Sequence, residues 1–172
     1  MCSSDLCGRR RRPLRTLVRG TPPSDAALAR RAMKAAARPY RVPAGTQVTL
    51  AFVDDAQMRA LNKRFRRKDR TTDVLSFGED LPRGLKGAAA AQRLRPGPDG
   101  VVELGDIVIS GPRAQSQARR RGWPLATEVA FLAAHGTLHL LGFDDKTTAG
   151  YREMLALGKA ALARSRQLRV KR

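Results

Sequence analysis

The spacing of apolar side chains predicts a chain that alternates between strands and helices. Residues 47–53 alternate apolar and polar positions, which is the period of a strand with one buried face. Residues 56–65 repeat apolar side chains at helical spacing, and Asp54 or Asp55 precedes them as an N-cap. By the same criteria, further strands are predicted at residues 13–20, 72–77 and 101–110, and further helices at residues 25–37, 113–121, 124–141 and 148–165.

This order of elements predicts an α/β fold of the mixed α+β kind, with one small mixed sheet of about four strands covered by helices. The 172 residues are enough for a single domain with its own core. We expect residues 1–20 to be a basic, poorly ordered N-terminal tail, despite the weak strand signal at 13–20, and residues 21–168 to be the domain. Residues 78–100 are rich in Gly, Pro and Ala, and predict a long connection between strands.

The charge of the chain narrows the choice of partner. Lys and Arg number 34 against 15 Asp and Glu, which leaves a formal charge of +19. Such a chain tends to bind polyanions, because each neutralised phosphate releases a counterion. A solvated basic surface is the alternative, and charge does not distinguish RNA from DNA. No apolar run approaches the roughly 18–20 residues that span a bilayer, and no signal peptide is visible. We therefore expect a cytoplasmic protein without a membrane partner.

Candidate metal ligands stand near the end of the helix predicted at 124–141. His135 and His139 are the two histidines of the chain, and residues four apart share one helix face, so both can reach one ion. Packed core histidines are the alternative. Gly142 then ends the helix, and Asp144 or Asp145 could complete a catalytic set that leaves a coordination position open. The residue after His135 is not Glu, so the pattern is not that of an HExxH metallopeptidase.

A second constellation is basic. Six Lys and Arg side chains lie between Lys63 and Arg70, ahead of a predicted strand. They could form a rim that faces phosphate, since the planar guanidinium of Arg grips phosphate with two hydrogen bonds. A solvated helix end is the alternative.

Other polar and aromatic residues are expected to have structural roles. Asp73 is expected to hydrogen-bond a turn, and Glu128 to cap its helix, with a role beside His135 as the alternative. The run Arg119–Arg121 is expected to be a solvated helix end, with contact to RNA as the alternative, and Trp123 is expected to be a packing residue.

Three blocks resemble the YbeY family of bacterial endoribonucleases. Residues 135–145 are similar to the family signature HGxLHLxGYDH, and residues 61–77 to LNxxYRxxDxxTDVLSFP. Residues 104–110 are similar to its LGDIxIS strand. The blocks follow the order and spacing of the family, so the resemblance covers about residues 45–160.

The resemblance implies a mixed α/β fold and a zinc-dependent endoribonuclease that is specific for single-stranded RNA. It also implies a role in 3′-end maturation of 16S ribosomal RNA and in ribosome quality control. The expected partners are precursor 16S rRNA and ribosomal particles, with ribosomal proteins as further candidates, and not DNA. By motif position, Arg66 corresponds to the arginine of RNA binding and catalysis. The side chains expected to bind RNA are Lys63, Arg64, Arg66 and Arg67.

The expected metal ligands are His135, His139 and Asp145, and the third departs from the family. The family usually has His at that position, whereas its Asp at the position of Asp144 is not a ligand. Two imidazoles and a carboxylate remain a sound catalytic set for one Zn²⁺ per chain, and would also suit Mn²⁺ or Fe²⁺. The changed ligand leaves an alternative function open, a non-catalytic rRNA-binding assembly factor with a structural metal.

Overall fold

The structure, a computed structural model, describes residues 14–167. The strands in this part of the chain are β1 (Arg15–Arg19), β2 (Gln47–Val53), β3 (Val74–Phe77) and β4 (Glu103–Ser110). The helices are α1 (Ala27–Ala37), α2 (Asp55–Arg66), α3 (Ala88–Ala91), α4 (Gly111–Arg121), α5 (Leu125–Leu140) and α6 (Thr148–Gln167), with a 3-10 turn at Arg38–Tyr40 after α1.

The four strands form one mixed sheet in the order β1-β2-β4-β3, which confirms the predicted fold class. β1, β2 and β4 run parallel, whereas β3 runs antiparallel to β4. In this register Leu50 lies opposite Ile107, and Leu75 lies opposite Val108. The parallel strands are joined through helices, as parallel pairing requires.

Helices cover both faces of the sheet. Leu50 of β2 and Ile107 of β4 are buried in the main core, with α1, α5 and α6 on that side. Val108 of β4 belongs to a smaller cluster on the other face, where it packs with Met58 of α2. α5 contacts α1, α4, α6, β3 and β4, so nearly its whole circumference is buried. The histidines of α5 are thereby held against the sheet.

α2 begins as the sequence predicts. Oδ1 of Asp54 accepts a hydrogen bond from the backbone N–H of Gln57 at 2.8 Å, and Oε1 of Gln57 accepts one from the backbone N–H of Asp54 at 3.1 Å. This reciprocal capping box satisfies donors that a helix start leaves without partners. The helix ends where Arg67 adopts a left-handed conformation with φ of 56°.

Some features of the fold differ from expectation. The predicted tail is wrong for residues 15–19, because β1 forms there and pairs with β2. The expectation for residues 1–13 lies outside the described residues. α4 begins at Gly111 rather than 113, since Ser110 caps it by accepting a hydrogen bond from the N–H of Arg113. The connection 78–100 includes the short helix α3. Within residues 14–167 no helix has the length and apolarity needed to cross a membrane.

Candidate metal centre

The two histidines flank Gly136, where α5 packs closely against the sheet. Gly136, between them, allows this approach: a Cβ added there would lie 2.7 Å from Cγ2 of Ile107 in β4. On the same side, the hydroxyl of Ser76 donates to the carbonyl oxygen of Gly136 at 3.3 Å. Because a side chain at this position would push α5 away from the sheet, glycine fixes the depth of His135 and His139.

The turn after α5 carries the third candidate ligand. Gly142 is left-handed, with φ of 81°, and its N–H bonds to the carbonyl oxygen of His139 at 2.9 Å. The N–H of Phe143 bonds to the carbonyl oxygen of Leu138 at 3.1 Å. These two bonds are the Schellman pattern that reverses a chain at a helix end. The reversal returns the segment after Gly142 over the last turn of α5, which brings Asp145 to the histidines.

His135, His139 and Asp145 could hold a metal ion. Their facing Nε2 atoms are 3.1 Å apart, and Oδ2 of Asp145 lies 3.5 Å from Nε2 of His135 and 3.9 Å from Nε2 of His139. Ligand atoms about 2.0–2.2 Å from a tetrahedral ion are roughly 3.3–3.6 Å apart, so these separations suit one ion with little movement. Asp144 is not in the set, and its Oδ1 instead accepts the backbone N–H of Lys146.

The surroundings of the two imidazoles favour metal binding. Nδ1 of His139 lies 2.9 Å from the carbonyl oxygen of Phe143, and a carbonyl only accepts, so Nδ1 carries the proton. An imidazole that carries its proton on Nδ1 can offer the lone pair of Nε2 to a metal, and Nε2 of His139 faces His135. Burial, and then the neighbouring His139, lower the pKa of His135 below its ordinary value. Both effects favour the neutral imidazole, which is the form that binds metals.

The centre opens into a cleft of about 660 Å³. Arg66, at the end of α2, lines the same cleft, and its Nη2 donates to the carbonyl oxygen of Ser76 at 3.2 Å. The lining contains five basic and five acidic side chains. They are Arg66, Lys68, Arg70, Arg121 and Lys146, and Asp73, Glu79, Asp80, Asp144 and Asp145. The lining is therefore balanced in charge, and a divalent cation at the three ligands would add attraction for an anion.

Comparison with known proteins decides the family. The sequence model described as Endoribonuclease YbeY matches residues 21–166. The chain belongs to the YbeY endoribonuclease family. The Endoribonuclease YbeY of Moorella thermoacetica is 45% identical over 133 residues, which cover 77% of this chain and 81% of the relative. That of Geobacillus kaustophilus is 42% identical over 134 residues, which cover 78% and 82% respectively.

A solved structure has a fold similar to that of this chain. The solution structure of TM1509 from Thermotoga maritima has a TM-score of 0.54 to this chain at 19% identity. The match covers 90% of this chain and 92% of the other. At this identity the likeness concerns the fold alone.

The four basic residues that are expected to bind RNA in this YbeY-family chain divide into two groups. Arg66 lines the cleft, whereas Lys63, Arg64 and Arg67 are exposed outside its lining. Nζ of Lys63 pairs with Asp69 at 3.0 Å, and that carboxylate also accepts from Arg59. The hydrogen bonds from these two cations lower the pKa of Asp69, Arg59 contributing more than Lys63. The guanidinium of Arg64 lies 5.2 Å from the ring centre of Phe65.

The structural roles expected for Glu128 and Arg121 are wrong. Glu128 does not cap its helix: its side chain is 0% exposed, and both carboxylate oxygens accept from Nη1 of Arg121, at 2.7 and 2.9 Å. Arg121 is therefore not a solvated helix end, and it lines the cleft. The sequence does contain a signal for this pair. Arg121 ends one helix, and Glu128 follows seven positions later in the first turn of the next helix.

The remaining interpretations agree with the structure. Asp73 hydrogen-bonds the backbone N–H of Val74 and the side chain of Gln117, at 2.9 and 2.8 Å. Trp123 packs edge-on against Phe131, with 5.9 Å between ring centres. Tyr151 of α6 also lines the cleft with 54% of its surface exposed, and nothing in the sequence pattern singles it out.

Proposed function

We propose that this chain is a metal-dependent endoribonuclease that cuts single-stranded RNA in the 3′-end maturation of 16S ribosomal RNA and in ribosome quality control. Membership of the YbeY family supports the cleavage of RNA. The observation that carries the proposal is that the three candidate metal ligands and Arg66 open into one cleft. In this proposal the protein works in the cytoplasm on ribosomal particles, with ribosomal proteins among its contacts.

The donor set supports a catalytic metal rather than a structural one. Structural zinc sites are closed by four protein ligands, whereas the described residues supply three here. Asp145 is 41% exposed at the cleft, which leaves room for a substrate. We propose Zn²⁺ as the resident ion, with Mn²⁺ or Fe²⁺ as alternatives because one ligand is a carboxylate. When bound, a divalent ion supplies Lewis-acid polarisation of a phosphate oxygen.

Arg66 is the proposed catalytic side chain. One of its nitrogens donates to Ser76, which holds the guanidinium beside the strand next to α5. The remaining N–H groups are directed at the phosphate and stabilise the negative charge that grows on its oxygens during cleavage. Lys63, Arg64 and Arg67 are proposed to bind the RNA backbone outside the cleft.

Cleavage of matched RNAs tests the proposal. The purified, metal-reconstituted protein is given one sequence as a single strand and as a duplex, with His135→Ala as the inactive variant. We expect cleavage of the single strand alone, its loss on chelation, and a folded but inactive variant. Absence of any cleavage by a protein shown to contain metal would refute the proposal. Chemical analysis of the product ends then distinguishes attack by water from attack by the RNA's own 2′-hydroxyl, which leaves a cyclic phosphate.

A non-catalytic rRNA-binding assembly factor is the second candidate. The observation that favours it is Asp145, which occupies the position where the family signature has His. This candidate predicts RNA binding without cleavage, and a His135→Ala variant that either unfolds or keeps its function. The cleavage experiment therefore separates the two functions.

A further inference from the structure

A fully buried carboxylate holds one arginine of the cleft. Glu128 lies in the first turn of α5 and is 0% exposed, whereas the Arg121 side chain that pairs with it is 42% exposed. A buried carboxylate is costly unless it is paired, and an apolar side chain would serve packing alone equally well. The arrangement is therefore better suited to holding the guanidinium in place than to filling space.

Aromatic rings limit the movement of the same guanidinium. The carbon Cζ of Arg121 lies 5.4 Å from the ring centre of Trp123 and 5.6 Å from that of Phe131. The ring of Phe131 in turn stacks on His135, with 6.2 Å between ring centres and 26° between planes. One aromatic ring thus separates the charge of Arg121 from the candidate metal centre.

The donors of Arg121 are only partly used. Nη1 supplies both hydrogen bonds to Glu128, and no acceptor for Nε or Nη2 occurs among residues 14–167. The carboxylate of Glu128 is buried, whereas the guanidinium of Arg121 lines the cleft. The unused N–H groups are therefore available to an anion that enters the cleft. Arg119 and Arg120 end the same helix and are exposed, but neither lines the cleft.

We propose that Arg121 is a second phosphate-binding arginine of the cleft, and that Glu128 positions it for a phosphate next to the one at the metal centre. This rests on the proposed function, since it assumes RNA in the same cleft. A planar fork held at one nitrogen presents its other N–H groups in a fixed direction, which suits a phosphate oxygen better than a mobile lysine would. Arg66 and Arg121 then contact the RNA backbone from different elements, the ends of α2 and α4.

The salt dependence of RNA binding tests the proposal. Fluorescence anisotropy with labelled oligo(U) and oligo(A), recorded by stopped flow before cleavage begins, compares the metal-loaded wild type, Arg121→Gln and the matched control Arg119→Gln. One lost phosphate contact lowers the slope of log affinity against log salt by about 0.7 for a single strand. For Arg121→Gln we expect this change and an affinity loss of about tenfold at low salt. For Arg119→Gln we expect a loss below about twofold, since an exposed charge outside the cleft contributes only weakly.

A second variant separates RNA binding from folding. Arg121→Gln leaves Glu128 buried without its partner, so Arg121→Gln/Glu128→Gln is prepared to remove the unpaired charge. The proposal expects the double variant to regain stability without regaining affinity or slope. Recovery of the affinity and of the slope in the double variant would overturn the proposal, because Arg121 would then act only through the stability of the fold. An affinity loss confined to one of the two oligonucleotides would also overturn it, since a phosphate contact does not depend on the base. A wild type that binds neither oligonucleotide would overturn the proposed function itself.

Discussion

His139 and Phe143 are joined by a hydrogen bond of 2.9 Å from the ring Nδ1 to the main-chain carbonyl oxygen. Phe143 is itself held in place: its ring packs against Tyr40 at 5.3 Å between centres, and the ammonium of Lys86 lies 5.2 Å from it. Lys86 is paired with Glu153 of α6 at 2.7 Å. The orientation of one candidate metal ligand thus depends on the turn after α5, the connection 78–100 and α6 together.

Replacing Asp145, the third candidate ligand, is expected to remove the metal. Asp145→Ala takes away one of three donors, so we expect metal affinity to fall by more than about 100-fold, since losing even an outer hydrogen bond costs 10–100-fold. Metal content per chain, measured by elemental analysis after dialysis, checks this. Asp144→Ala is the matched control because its carboxylate lies outside the donor set. Equal metal in the two variants would exclude Asp145 as a ligand.

Arg66→Ala is expected to reduce the single-turnover rate of RNA cleavage by about 10²–10³, the usual effect of removing one donor to a developing oxyanion. Metal content should stay at the wild-type level, because Arg66 contacts Ser76 and none of the ligands. Arg67→Ala removes the same charge from a residue outside the cleft that is proposed to bind RNA. It should weaken RNA binding but leave the rate at saturating RNA nearly unchanged. Similar losses in both variants would point to general electrostatic attraction.

Gly142→Ala is expected to destabilise the fold by about 3 kcal/mol, from backbone strain and overpacking together. An added Cβ would lie 2.1 Å from the carbonyl oxygen of Leu85, a backbone atom that cannot easily move. Gly122→Ala is the control, since Gly122 is also left-handed, with φ of 64°, but has nothing within 4 Å of such a Cβ. Urea denaturation of the two variants separates the steric contact from the backbone strain, since Gly122→Ala has the strain alone. Equal losses of unfolding free energy in the two variants would show that the backbone moves and relieves the contact with Leu85.

Arg121→Gln is expected to lower the free energy of unfolding by about 2 kcal/mol at pH 7, because it leaves Glu128 buried and unpaired. Burial raises the pKa of Glu128, and the charge and hydrogen bonds of Arg121 oppose that rise. Without Arg121 the folded pKa moves further above the unfolded value, so the folded state binds a proton that the unfolded state does not. Stability then falls as pH rises through the window between these two values.

The loss of unfolding free energy in Arg121→Gln relative to wild type should therefore become smaller as the pH is lowered from 7 to 5. Urea denaturation at both values measures it. Arg121→Gln/Glu128→Gln should show no such shrinkage, because Gln does not titrate. A deficit that is constant with pH in both variants would mean that Glu128 stays charged without its partner.

Much of the local structure could be predicted because short-range chemistry decides it. The capping box of Asp54 and Gln57 lies within four residues, and the alternation of β2 shows directly in its burial pattern. The positions of His135 and His139 on one helix, and the helix end at Gly142, follow from helical spacing and from the one residue that readily turns left-handed. These features need no partner from elsewhere in the chain.

Only the tertiary structure decided the rest. The segment of β1 carries only a weak strand signal, and the edge of β2 supplies the hydrogen bonds that make it a strand. The turn after α5 places Asp145, and not Asp144, beside the two histidines. The end of α2 places Arg66 at the cleft, whereas Lys63, Arg64 and Arg67 lie outside its lining. Arg121 meets Glu128 because two helices join at Gly122 and Pro124. Each choice depends on where separate elements meet in space, which local residue preferences do not specify.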